Sequence, residues 1–162
     1  MYKFEDFKHG DVESFIVEFG YGECHSLSHF LALEYNLDIG IIKSFPSEIP
    51  LHSFVFLDDK YAFDAHGIDT IENTIKRYET FAAEYDEDTV IADRYSKDEA
   101  ISELSNWCTV DDATLAFVKA EFNHLDSLTH IKDQLTKVLD TKIKQTDKLY
   151  DSLKNKPKKL KL

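Results

Sequence analysis

The stretch His52-Ser-Phe-Val-Phe-Leu-Asp-Asp-Lys-Tyr-Ala-Phe-Asp-Ala-His-Gly67 decides how this chain folds. Aromatic and β-branched residues crowd both sides of Asp58-Asp59-Lys60. That is the pattern of two strands joined by a short hairpin connection. Strand side chains alternate with period two, so Phe54 and Phe56 share a face with His52, and Ala62 shares one with Asp64. The spacing predicts a hairpin that sets His52 and Asp64 on the same side of a sheet.

Upstream lies Gly20-Tyr-Gly-Glu-Cys-His25. Gly20 and Gly22 predict a tight loop that ends a short helix over residues 11 to 19, capped by Asp11, with Phe15 and Phe19 one turn apart. A second helix is expected from Cys24 or His25 to about Asn36, with Leu27, Phe30, Leu31 and Leu33 as its apolar side. Ile39 to Phe45 reads as a strand. A loop holding Pro46 and Pro50 should follow, because proline cannot continue a ladder.

Downstream of residue 69 the chain reads as helical. Asp69 or Thr70 caps a run to about Tyr85, and an acidic patch from Glu84 to Asp88 interrupts the pattern. Ser96 and Glu99 have capping-box spacing. Asp111 or Asp112 opens a further helix. The last, from about Ser127 to Leu153, carries Leu128, Ile131, Leu135, Val138, Leu139, Ile143, Leu149 and Leu153 near a heptad stripe, which suits packing on the chain's own domain or a self-association seam. The expected class is α+β: a nucleophile helix on a small antiparallel sheet, followed by a helical C-terminal half. The expected organisation is a domain over 1–126, a long helix over 127–153 and a basic disordered tail over 154–162.

The composition narrows the function classes. With 162 residues, 43% of them hydrophobic and 13% aromatic, the chain can build a core of its own. No run reaches membrane-span length, and the start has no signal-peptide layout, so a cytoplasmic location is expected. Its two cysteines do not make a disulfide framework. Residues 1–126 hold 27 acidic and 9 basic side chains, and residues 127–162 hold 4 and 10. A body of net charge −18 repels nucleic acid and anionic membrane, so neither is an expected partner. The basic C-terminal segment suits an anionic partner, or it folds against the acidic body, or it is a solvated helix with a frayed lysine end. No glycine motif cradles a phosphate, so no organic cofactor is expected.

Cys24, His52 and Asp64 together have the chemistry of nucleophilic catalysis within about forty residues. A thiol needs a base to become a thiolate, and the base needs a partner to hold its ring. Cys24 is expected at a helix start, where the dipole and free N–H groups stabilise a thiolate and Cys24 N–H can meet an oxyanion. His52 is the expected general base and acid, and Asp64 its orienter. Tyr21, Gly22, Glu23, His25 and His66 are expected around the cleft. Cys108, beside Trp107, reads as a core residue.

The order of these elements resembles that of the papain-like cysteine hydrolase superfamily in its broad sense. Members include NlpC-type peptidases, transglutaminase-like proteins and arylamine N-acetyltransferases. Gly22-Glu-Cys24-His-Ser-Leu-Ser-His-Phe-Leu-Ala32 resembles their helix-borne nucleophile segment, and His52 to Gly67 resembles their His-strand, turn and Asp-strand pair. The likeness covers roughly residues 20 to 67 and extends to small uncharacterised proteins of bacteria and phages. It implies acyl chemistry on a peptide, protein or small amide, ester or thioester substrate. Two departures stand out. The family's oxyanion glutamine before the nucleophile is missing, since glutamine occurs only at 134 and 145; the equivalent region offers Glu18, the wrong charge near an oxyanion, so Tyr21 or backbone N–H groups would have to substitute. The tryptophan often found beside the nucleophile is His25 here.

Two other functions fit the same residues. His25 and His29 lie four apart on one helix face and, with Cys24, His52, Asp64 and His66, make a set for zinc. Alternatively, the fold has lost its activity and serves as a protein-binding module.

Overall fold

A computed structural model describes residues 12–84, 89–124 and 129–154. Asp11, the acidic run over 85–88, Ser127 and Leu128 of the expected last helix, and the tail beyond 154 lie outside them. The described residues form six helices and one five-stranded sheet: α1 (Val12–Tyr21), α2 (Cys24–Tyr35), β1 (Ile39–Phe45), β2 (Pro50–Phe56), β3 (Tyr61–Asp64), β4 (Gly67–Thr70), α3 (Ile71–Glu84), β5 (Thr89–Tyr95), α4 (Lys97–Leu104), α5 (Asp112–His124) and α6 (Thr129–Lys154). The sheet order is β4-β3-β2-β1-β5, antiparallel throughout. The protein is a mixed helix and sheet fold, with no helix among the described residues long and apolar enough to cross a membrane.

Strand alternation splits the core in two. Ile39, Ile41, Val55 and Phe63 point to one face, where they join Leu27, Phe30 and Leu31 of α2, Phe122 of α5 and Leu135 of α6. Ile42, Phe54, Phe56 and Ala62 point to the other and meet Tyr78 of α3. The α3 helix is the crossover from one edge strand, β4, to the opposite edge strand, β5. Its buried Thr74, Tyr78 and Ala82 follow an i, i+4, i+8 stripe against the sheet.

Several local signals hold. Asn36 ends α2 in the left-handed region at φ 50°, with Leu37 N–H bonded to Ala32 O. The Ser96–Glu99 capping box forms at α4. Thr70 Oγ1 accepts from Asn73 N–H at the start of α3.

Three expectations are corrected. The chain beyond residue 69 is not helical throughout: β4 runs to Thr70, and β5 lies in the C-terminal half. Thr-Val-Ile-Ala-Asp-Arg-Tyr pairs with β1 along its whole length, from Ile39↔Tyr95 to Phe45↔Thr89, because β1 would otherwise be a bare edge. Strand β2 begins at Pro50, not after it. Proline is accepted there as a first strand residue beside the bulge at Ile42/Lys43, which leaves Leu51 as the extra residue. Finally, α1 does not stop before Gly20 but runs on to Tyr21. A Cβ at Gly20 would lie 2.9 Å from His66 Nε2, so glycine serves close packing at this position.

The N-terminal half of α6 belongs to the body. Leu135 is fully buried in the larger core, with Ile131 and Val138 packed against it, whereas Ile143 is exposed. Lys142 Nζ donates to Asn36 O across the interface. The side chains of Leu149 and Leu153 lie outside the described residues.

Candidate active site

Cys24 is the first residue of α2, and the residue is 4% exposed. Glu23 occupies the N-cap position but does not cap with its side chain; its carboxylate accepts from Ser26 Oγ at 2.7 Å. The first-turn N–H groups of α2, that of Cys24 among them, are therefore uncapped by the Glu23 side chain.

His52 is fully buried in β2, under Tyr78 of α3. The two rings stack with centroids 4.2 Å apart and 14° between planes. His52 Nε2 lies 2.9 Å from Asp64 Oδ2. Nδ1 has no hydrogen-bond partner among the described residues, so it is the ring atom left for the thiol. Asp64 is itself buried and multiply held. Its Oδ1 accepts from His66 N–H at 2.8 Å, and its Oδ2 also accepts from Arg77 at 3.2 Å. Arg77 is fixed in turn by Asp69 at 3.1 Å.

The electrostatics follow from this packing. Burial alone would push the Cys24 thiol up. The nearby His25 and His52 outweigh it and hold the thiol well below its ordinary range. Burial would likewise push His52 down, but the charge of Cys24 and the bond to Asp64 raise it to about 9. Burial works against the Asp64 carboxylate too, yet His52 and Arg77 hold it low. The arrangement suits a thiolate beside an imidazolium, with a carboxylate behind.

The other expected cleft residues divide. Gly22 is exposed, and Glu23 and His25 are half-buried, all beside Cys24. His66 lies on the turn between β3 and β4, its ring against Gly20. The side chain of Tyr21 lies outside the described residues. Burial, with Glu23 and Glu121 nearby, raises the Glu18 carboxyl.

Sequence reasoning missed three groups. Arg77 and Tyr78 come from α3, and only the crossover over the sheet brings them to Asp64 and His52. The third is a serine relay. Ser28 Oγ donates to Cys24 O at 2.9 Å, and Ser53 Oγ donates to Ser28 Oγ at 3.0 Å. With both hydroxyl protons committed, His25 Nδ1 must donate its N–H to Ser53 Oγ, 3.0 Å away. The one available signal was the alternation that puts Ser53 opposite His52, facing α2.

The zinc set is not assembled as the sequence suggested. Among the described residues no group of three or more His, Cys, Asp or Glu side chains is placed to hold a metal ion. His29 turns away from the trio, its Nδ1 bonded to His25 O.

No protein-family model matches the chain, and neither a curated protein nor a solved structure matches it.

Proposed function

We propose that this protein is a cysteine-dependent hydrolase or acyltransferase acting on an amide, ester or thioester, with Cys24 as nucleophile, His52 as general base and acid, and Asp64 as orienter. One observation carries the reading. A fully buried imidazole commits Nε2 to a buried carboxylate and keeps Nδ1 for a thiol at a helix start. A purely structural histidine would be expected to have both nitrogens satisfied when buried.

In this reading the Cys24 thiolate attacks the substrate carbonyl carbon, and the oxyanion forms beside the uncapped N–H groups of α2. The imidazolium of His52 gives its proton to the leaving group, which departs from a thioester on Cys24. Water or an acceptor nucleophile then loses a proton to His52 and releases the acyl group. Asp64, braced by Arg77, keeps the ring oriented and favours its charged form. The ordering of nucleophile helix, histidine strand and aspartate strand supports a place in the papain-like superfamily. Tyr21 or backbone N–H groups would stand in for the missing glutamine.

The test is acyl-enzyme trapping with p-nitrophenyl acetate, located by mass spectrometry. The expected result is an acetyl group on Cys24 that is absent in His52→Ala. Acetyl groups found only on lysines or Cys108 would overturn the reading. The 4% exposure of Cys24 favours a second reading, a binding module without catalysis. Under that reading Cys24 resists acylation in the folded parent.

A further inference from the structure

Two imidazoles meet the Cys24 thiol, and they differ in what else can reach them. His52 is fully buried, with Nε2 on Asp64 and Nδ1 sealed from solvent. His25 follows Cys24 directly in α2 and is half-buried. Both rings hydrogen-bond the thiol, and the charge of each favours the thiolate. They are held from opposite faces of β2. His52 lies under Tyr78 on the α3 face, whereas its neighbour Ser53 points to the α2 face, where its Oγ lies 3.0 Å from His25 Nδ1.

The serine relay fixes the His25 tautomer. Ser28 Oγ donates to the Cys24 carbonyl, so it accepts from Ser53 Oγ, and Ser53 accepts from His25 Nδ1–H. Both serines are buried in the α2–β2 interface. With that proton on Nδ1, the neutral ring keeps its lone pair on Nε2. Beyond Ser53 and Cys24 the His25 ring bonds nothing among the described residues. Unlike His52 Nδ1, His25 Nε2 is not sealed, so it is open to solvent. A general base must come within hydrogen-bond reach of the proton that it takes. The nucleophile of the second half-reaction arrives from solvent, and His25 is the ring that both touches the sulfur and meets solvent.

We propose that His25 is a further catalytic residue, the base that takes the proton of the incoming water or acceptor nucleophile. The proposal rests on the Cys24 reading and divides its proton transfers between two rings. As the incoming oxygen or nitrogen bonds to the thioester carbonyl carbon, its proton passes to His25 Nε2. The tetrahedral intermediate collapses, the carbon–sulfur bond breaks, and the Cys24 thiolate leaves with the bonding pair. The proton then moves from His25 to the sulfur and on to His52, which restores the thiolate and the imidazolium.

The test is p-nitrophenyl acetate turnover by the full chain, with acylation read from the p-nitrophenol burst and deacylation from loss of the Cys24 acetyl group by mass spectrometry, to water or to an added primary amine. His25→Asn keeps an N–H for Ser53 and removes the base. It should slow deacylation by roughly 10²- to 10⁴-fold, the usual value of a general base, and acylation far less. Acetyl-Cys24 should then accumulate. The parent should show a solvent deuterium isotope effect on deacylation that His25→Asn lacks, which a merely structural role would not produce. Ser53→Ala keeps the ring and frees its tautomer, so it should also slow deacylation more than acylation. Deacylation as fast in His25→Asn as in the parent overturns the proposal and leaves the Cys24 reading standing. Equal loss of both steps in His25→Asn and in Ser53→Ala also overturns it, since the ring would then serve only to hold the thiolate. A parent that never carries acetyl on Cys24 removes the Cys24 reading and this proposal with it.

Discussion

The two faces of the sheet are built from the same strands but do opposite things. The face under α2 is a broad apolar core in which Leu31, Ile39, Ile41, Val55 and Phe122 are fully buried. The face under α3 is a smaller cluster that ends in His52, Asp64 and Arg77. Burying ionisable groups costs free energy unless they are paired. The larger face therefore supplies most of the apolar burial, and the smaller one holds His52, Asp64 and Arg77 in a fixed setting. Period-two alternation makes this division possible: Phe63 and Asp64 are neighbours in sequence on opposite faces.

That separation can be broken by mutation. The largest expected effect is Phe63→Ala on the α2 face, with a loss of about 3–5 kcal/mol in urea unfolding. The pH profile of Cys24 labelling should stay unchanged in the folded fraction. A shifted profile would show that the two faces are not independent. Next is Gly40→Ala on the α3 face. Its new Cβ would overlap the Phe54 ring, so a loss of about 1–3 kcal/mol is expected by the same assay.

The trio should also leave a pH signature on stability. His52 is raised from 6.5 to about 9 on folding, so its contribution is full below 6.5 and fades as pH rises through about 9. Cys24 is lowered, so its contribution fades as pH falls through its folded pKa. Between about 6.5 and 9 one gain offsets the other loss, and the pair should add an increment that stays flat with pH. The increment is the parent's stability minus that of Cys24→Ala, from urea midpoints across pH. An increment that instead climbs steadily through pH 9 would mean that no imidazolium accompanies the thiolate. The smallest expected effect is Ser96→Ala, which removes the α4 capping box far from both faces. It should cost about 1 kcal/mol and leave Cys24 labelling untouched.

The hairpin, the start of α2 and the shared face of His52 and Asp64 were legible because each is a local pattern. Turn residues, a helix start after glycine and strand alternation all act within a few residues. Strand β5 was hidden because its place is set by the open edge of β1, some fifty residues away in sequence. Arg77 and Tyr78 were hidden for the same reason, since only the path of α3 across the sheet makes them neighbours of the trio. Gly20 reads as a helix breaker until the His66 ring is seen against it. His25 and His29 share a helix spacing that suggested a joint metal site, yet one bonds Ser53 and the other lines a separate cavity.

The most direct measurement is the alkylation rate of Cys24 against pH, in the parent and in His52→Ala. A thiolate paired with His52 predicts fast labelling well below the ordinary thiol pKa of about 8.5, slowed by roughly two orders of magnitude near pH 6 in His52→Ala. An ordinary thiol profile in the parent, unchanged by His52→Ala, would contradict the account.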